Sequence, residues 1–123
     1  MMIGRDRFEQ LVAEALESLP EAFQEKLDNV AVVVADWPSP ADLAAAGLRR
    51  GQTLFGLYQG VPQTERTSHY GLVPPDRITI FMGPILRACR SEAAIRDEVR
   101  RVVLHELGHH FGLSEGRLKE LGV

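Results

Sequence analysis

The segment 91–112, SEAAIRDEVRRVVLHELGHHFG, constrains the fold of this chain more than any other stretch. Ser91 can cap a helix, and Gly112 supplies its natural end. Between them Ile95, Val99, Val102, Val103, Leu107 and Phe111 recur at helical spacing. With His105 at zero on a helical wheel, these six spread from about 60° to about 240°, an arc wide enough for a core helix. Its last turns nevertheless carry three of the chain's four histidines and a glutamate. A core helix with a polar edge of this kind suits the floor of a cleft.

His105 and His109 fall about 40° apart, one turn from each other, so two imidazoles can reach one metal ion. Glu106 lies about 100° from His105, beside the ion, where it can take a proton from metal-bound water. This is the H-E-x-x-H arrangement of zinc hydrolases. A catalytic zinc commonly has three protein ligands and keeps a fourth position for water. Glu115 is the leading third ligand. On a continued helix it would stand about 9 Å along the axis beyond His109, too far to share the ion, so the chain must turn back. Gly112 stands where the turn is needed, because glycine enters left-handed backbone geometry without a Cβ penalty. Glu120 is the reserve third ligand. Two imidazoles and a carboxylate leave the site near +1, so its water is less acidic than in a three-histidine site. His110, about 140° round the wheel, reads as a hydrogen-bonded packing histidine or one that supports the ligands.

The rest of the chain supplies layers for that helix. Phe8, Leu11, Val12, Ala15, Leu16 and Leu19 form an amphipathic stripe, with Asp6 and Glu9 as a capping-box-like start. Pro20 opens a second short helix bearing Phe23 and Leu27. VAVVVAD reads as a buried strand. Ser39 as cap, Pro40 as first residue and Gly47 past the end delimit a short helix. TLFGLYQG and DRITIFMG read as two further strands, each closed by glycine. The segment between them, VPQTERTSHYGLVPP, is a long polar loop of a kind that tends to be functional or mobile. Ser114 can cap a last turn or two of helix in the tail. The expected fold is α/β (α+β), one domain over residues 1–123, with a small mixed sheet of about three to four strands against the histidine helix and N-terminal helices.

Composition excludes several classes. Fourteen basic against 17 acidic residues, net charge −3, give no electrostatic footprint for nucleic acid or an anionic membrane. No apolar run is long enough to span a bilayer, and MMIGRDRFEQ lacks a signal-peptide layout, so the default address is the cytoplasm. A single cysteine, Cys89, excludes an intramolecular disulfide and reads as a small core residue, a reactive thiol being the alternative. Arg96, Arg100 and Arg101 read as a solvated face balanced by Asp97 and Glu98, with guidance of an acidic substrate as the alternative.

At residues 105–115 the sequence resembles the metzincin signature, with an acidic residue in place of the third histidine. More closely it resembles a family of small bacterial zincin-like metallopeptidases, over LFGLYQGVPQTER and PPDRITIFMGPILRACRSEAAIRDEVRRVVLHELGHHFGLSEGRLKELG, about the C-terminal sixty per cent of the chain. The resemblance implies a compact zincin-like fold, one zinc at His105, His109 and Glu115, and Glu106 as general base. Larger metzincins place a methionine turn after the third ligand. Here eight residues follow Glu115, none of them Met, and Met82 precedes the helix.

The expected function is a zinc-dependent metallopeptidase that hydrolyses peptide bonds by Glu106-assisted attack of zinc-bound water on peptide or protein substrates, as a monomer by default. Tyr70, His69 and Tyr58 are the candidates for steadying the oxyanion or contacting substrate. The competing expectation is a catalytically silent, zinc-stabilised binding or regulatory module, its site closed by a fourth ligand such as His110, Cys89 or an outer carboxylate. A metal-free interaction protein is a third.

Overall fold

The computed structural model describes residues 3–48, 54–60 and 76–112. Helix α1 (Arg5–Glu17) and the short α2 (Glu21–Lys26) lead through a single 3₁₀ turn, Leu27–Asn29, into strand β1 (Val30–Ala35). Helix α3 (Pro40–Ala45), strands β2 (Gly56–Gln59) and β3 (Asp76–Phe81), and helices α4 (Met82–Ala88) and α5 (Glu92–His110) follow. The strands form one mixed sheet in the order β1-β3-β2, with β1 parallel and β2 antiparallel to the central β3. The expected α+β architecture, with three strands against the histidine helix, is what the chain adopts.

Apolar stripes build the core as their spacing requires. Phe8, Leu11, Val12 and Ala15 of α1 are buried against α5, which contributes Ile95, Val99, Val103, Leu104 and Leu107. Ile78 and Ile80, two apart on β3 and therefore on one face of the sheet, are fully buried in the same cluster. Cys89 belongs to that cluster as well. Its thiol is pushed up chiefly by burial, reinforced by the negative charge of Glu98 and eased by Arg101.

Caps explain several boundaries. Ser39 accepts from the Asp42 amide and Asp42 returns the bond to the Ser39 amide, a full capping box ahead of Pro40. Ser91 accepts from the Ala94 amide at 3.1 Å and opens α5. Gly47 and Gly112 take the left-handed φ values of 75° and 79° at the ends of α3 and α5.

Four expectations change. Helix α1 begins at Arg5 on a Gly4 cap with no side-chain capping bond, so the Asp6–Glu9 capping box does not form. The start is drawn back by Arg5, which donates to Val34 O at 2.8 Å and pairs with Asp36 at 2.7 Å across the neighbouring strand. Strand β1 is not buried on both faces: Val30, Val32 and Val34 pack against the core while Val33 is 38% exposed, as fits a strand at the end of the sheet order. Helix α4 is not among the expected elements: Met82 and Gly83 read as the close of the DRITIFMG strand, and PILRA belongs to none of them. Phe111 lies outside the core, 45% exposed, because α5 ends beyond the core packing, and the Lys26 ammonium sits over its ring at 4.5 Å.

Of the arginine cluster, Arg101 pairs with Glu98 at 3.1 Å as expected, whereas Arg96 reaches across to Glu14 of α1 at 3.3 Å. No helix among the described residues is long and apolar enough to cross a membrane.

Candidate metal and catalytic site

The site grows out of the way α5 leaves the core. Ile95, Val99 and Val103 are fully buried, His105 and Glu106 are half-buried, and His109 and His110 are exposed. Burial therefore fades along the helix just where imidazoles begin, so the ligand-bearing turn needs no costly desolvation of polar rings. The His105 and His109 rings stack at 6.0 Å between centroids with 29° between planes. With Zn–N bonds of about 2.1 Å, rings this close, one helical turn apart, are within reach of a single ion.

Among the described residues, no three His, Cys, Asp or Glu gather into a metal-holding group. Glu115, the expected third ligand, and Glu120, its reserve, lie outside the described residues, as do His69, Tyr70 and Ser114. Gly112 is described: its left-handed φ, with Phe111 N–H donating to Leu107 O at 2.9 Å and Gly112 N–H to His109 O at 3.2 Å, closes α5 at the predicted turn.

Glu106 is held from across the sheet. Its Oε1 accepts the backbone N–H of Tyr58 on β2 at 2.8 Å. Phe81 N–H donates to Phe55 O, so by antiparallel alternation residues 55, 57 and 59 aim their backbone groups at β3, and Gly56 and Tyr58 aim theirs outward, toward α5. The close approach depends on Gly56. A Cβ there would collide with Val102 Cγ1 and come within 3.2 Å of Thr79 O.

The Tyr58 side chain turns elsewhere. Its hydroxyl donates to Asp76 Oδ2 at 2.6 Å, and its ring stacks on His110 at 4.0 Å with an interplanar angle of 18°. His110 Nε2 lies 3.6 Å from the same Asp76 oxygen. Tyr58 thus meets Glu106 through its amide, and its hydroxyl, the expected oxyanion candidate, is spent on Asp76 in this structure. Cys89 accompanies Ala94 at the far end of α5, its Sγ 3.6 Å from the Ala94 carbonyl. Eleven residues separate Ala94 from His105, about 16 Å of helix, so neither Cys89 nor the Asp76-facing His110 stands with the paired imidazoles.

Asp76 and Gly56 are the residues that sequence reasoning did not single out. An isolated glycine inside a strand pattern marks a close backbone approach, so Gly56 carried a readable signal. Asp76 carried none, since its partner is 18 residues away.

A search of curated proteins finds no match. Among solved structures, the chain is similar to a conserved hypothetical protein from Thermus thermophilus, at 26% identity and a TM-score of 0.56, over 88% of this chain and 94% of that one. The sequence profile described as zincin-like metallopeptidase matches residues 27–123, from the 3₁₀ turn before β1 through α5 and the segment that follows it. On that match across most of its length, the chain belongs to the zincin-like metallopeptidase family.

Proposed function

We propose that the protein is a zinc-dependent peptidase that cleaves peptide bonds, with His105, His109 and Glu115 holding one ion and Glu106 serving as general base. The observation that carries this reading is Glu106, anchored at 2.8 Å by Tyr58 on the same helical turn that pairs His105 with His109. Zinc, when bound, supplies an acidified water and polarises the scissile carbonyl. Glu106 takes the proton from the attacking water and passes it to the leaving amine. The Tyr58 amide occupies Oε1 and leaves Oε2 to carry that proton. His105 and His109 lie one turn apart with their rings 6.0 Å from each other, while the half-buried setting of Glu106 limits competing solvent. The substrate is a peptide or protein, and the proposed setting is the bacterial cytoplasm.

A closed, silent zinc site needs a fourth protein ligand. The placement of Cys89 at the opposite end of α5, and of His110 against Tyr58 and Asp76, speaks against either as that ligand and leaves an outer carboxylate as the remaining way to close the site. The test is peptide-library cleavage by zinc-loaded wild type beside Glu106→Gln, with metal content quantified in both. Both should hold one zinc, and the variant should lose cleavage by roughly 10²–10⁴-fold. Zinc binding with no cleavage by wild type would give the case to the binding module. Absence of zinc from both would sink every metal reading.

A further inference from the structure

Tyr58 links the base to a second group of residues. A strand-edge amide is only as fixed as its strand, and β2 has four residues, with Tyr58 next to last. Short strand ends open locally at little cost. The side chain of Tyr58 is tied down by another route. Asp76, only 8% exposed, accepts its hydroxyl at 2.6 Å, a short phenol–carboxylate bond of the charge-assisted kind. A carboxylate so buried is costly unless its oxygens are hydrogen-bonded, which makes the partnership tight. His110 closes the other face of the phenol by stacking at 4.0 Å, and Phe111 packs edge-on against His110 at 5.0 Å.

We infer that Asp76 and the Tyr58 phenol form a clamp, braced by His110, that holds the Tyr58 amide on Glu106. Tyr58 and Asp76 are then positioning residues for the base. Asp76 begins the central strand β3, opposite Val30 of β1, so the clamp refers Glu106 to the strand that is paired on both sides. The catalytic consequence rests on the peptidase reading, whereas the clamp itself does not.

The experiment is amide hydrogen exchange by NMR on the full chain, with no substrate, comparing wild type with Tyr58→Phe, Asp76→Ala and Asp76→Asn. Loss of the phenol–carboxylate bond should speed exchange of the Tyr58 amide by about tenfold or more. Amides of Leu57 and Gln59, which face β3, and of Val103 in α5 should hold their protection. Asp76→Asn keeps an acceptor for the phenol and should restore part of what Asp76→Ala loses. Tyr58→Phe leaves the buried carboxylate in place and guards against an Asp76→Ala chain that does not fold. Unchanged Tyr58 exchange in Tyr58→Phe overturns the clamp, and so does an equal loss across Leu57, Tyr58 and Gln59, which marks a merely structural pair. Where wild type cleaves peptide, Tyr58→Phe should lower kcat about tenfold with KM little changed, by loosening the base alone. Changed exchange in a protein that cleaves nothing retains the clamp and removes the peptidase reading.

Discussion

Replacing Gly56 by alanine tests the approach of β2 to α5 on which the Glu106 contact depends. Two effects oppose each other. Alanine restricts the unfolded chain and, where its backbone conformation is accessible, stabilises by about 0.4–1 kcal/mol. Gly56 is not in the left-handed region, so that gain is available. Against it, the new Cβ strikes Val102 Cγ1 and approaches Thr79 O at 3.2 Å. A β-branched valine in a helix has one strongly preferred χ1 state, so Val102 cannot swing aside cheaply. Overpacking of this kind costs about 1–3 kcal/mol. A strand that retreats instead stretches the 2.8 Å bond from Tyr58 to the Glu106 carboxylate, a charged hydrogen bond in the range of about 1.5–3 kcal/mol. The loss exceeds the gain, with a net destabilisation of about 2 kcal/mol. For a chain of this length that lowers Tm by about 6–12 °C.

Thermal and urea unfolding of Gly56→Ala, Val102→Ala and the double variant measure this directly. Val102→Ala removes the struck methyl, so the double variant should be more stable than the two single losses predict, with a coupling of about 1 kcal/mol or more. A Gly56→Ala protein that melts with wild type, or a pair whose effects simply add, would refute the steric argument.

Two further outcomes are expected. Arg7 binds Glu92 through Nε at 2.9 Å and Nη2 at 2.6 Å, joining α1 to the first turn of α5. The hydrogen bond from Arg7 holds the Glu92 carboxyl below its ordinary value and raises the Arg7 guanidinium in return. A carboxyl depressed in the folded state adds stability above its unfolded pKa and loses it as pH falls through its folded pKa. Arg7→Gln should therefore be less stable than wild type at neutral pH, and the difference should close in strong acid; urea titrations showing a gap independent of pH would contradict the pairing. Cys89, raised mainly by burial, should resist alkylation in the native protein and react once denatured, and rapid native labelling would remove it from the core.

Features set by local chemistry were legible in the sequence. Ser39, Pro40 and Gly47 delimit α3 because cap, first-turn proline and left-handed glycine each act within a few residues. Ser91 and Gly112 bound α5 for the same reason, and the spacing of His105 and His109 alone puts their rings side by side. Features set by distant partners were not legible. The start of α1 answers to Val34 on β1 and Asp36 just after it, and the half-burial of β1 answers to its place at the end of the sheet order. Helix α4 follows β3 without a loop, so the apolar run IFMGPIL hides a change of period, although Pro84 as third helical residue was a usable sign. Asp76 gains its meaning only when β2 pairs with β3 and sets Tyr58 opposite Ile78.

The pairing of Glu106 with strand β2 follows from two repeat lengths. Val102 and Glu106 are four residues apart on α5, one turn, or about 6 Å of axis. Gly56 and Tyr58 are two residues apart on β2, and an extended pair advances about 6.8 Å with both backbones aimed the same way. These advances nearly match, so a helix running beside the strand meets it twice: first at Gly56 against Val102, then at Tyr58 against Glu106. The first meeting sets the separation and the second uses it. A side chain at residue 56 would push the strand off the helix at the same point that fixes the carboxylate. Glu106 is thus oriented by a spacing that its own helix cannot supply, and the short β2, which also stacks Tyr58 on His110, sets where that carboxylate stands.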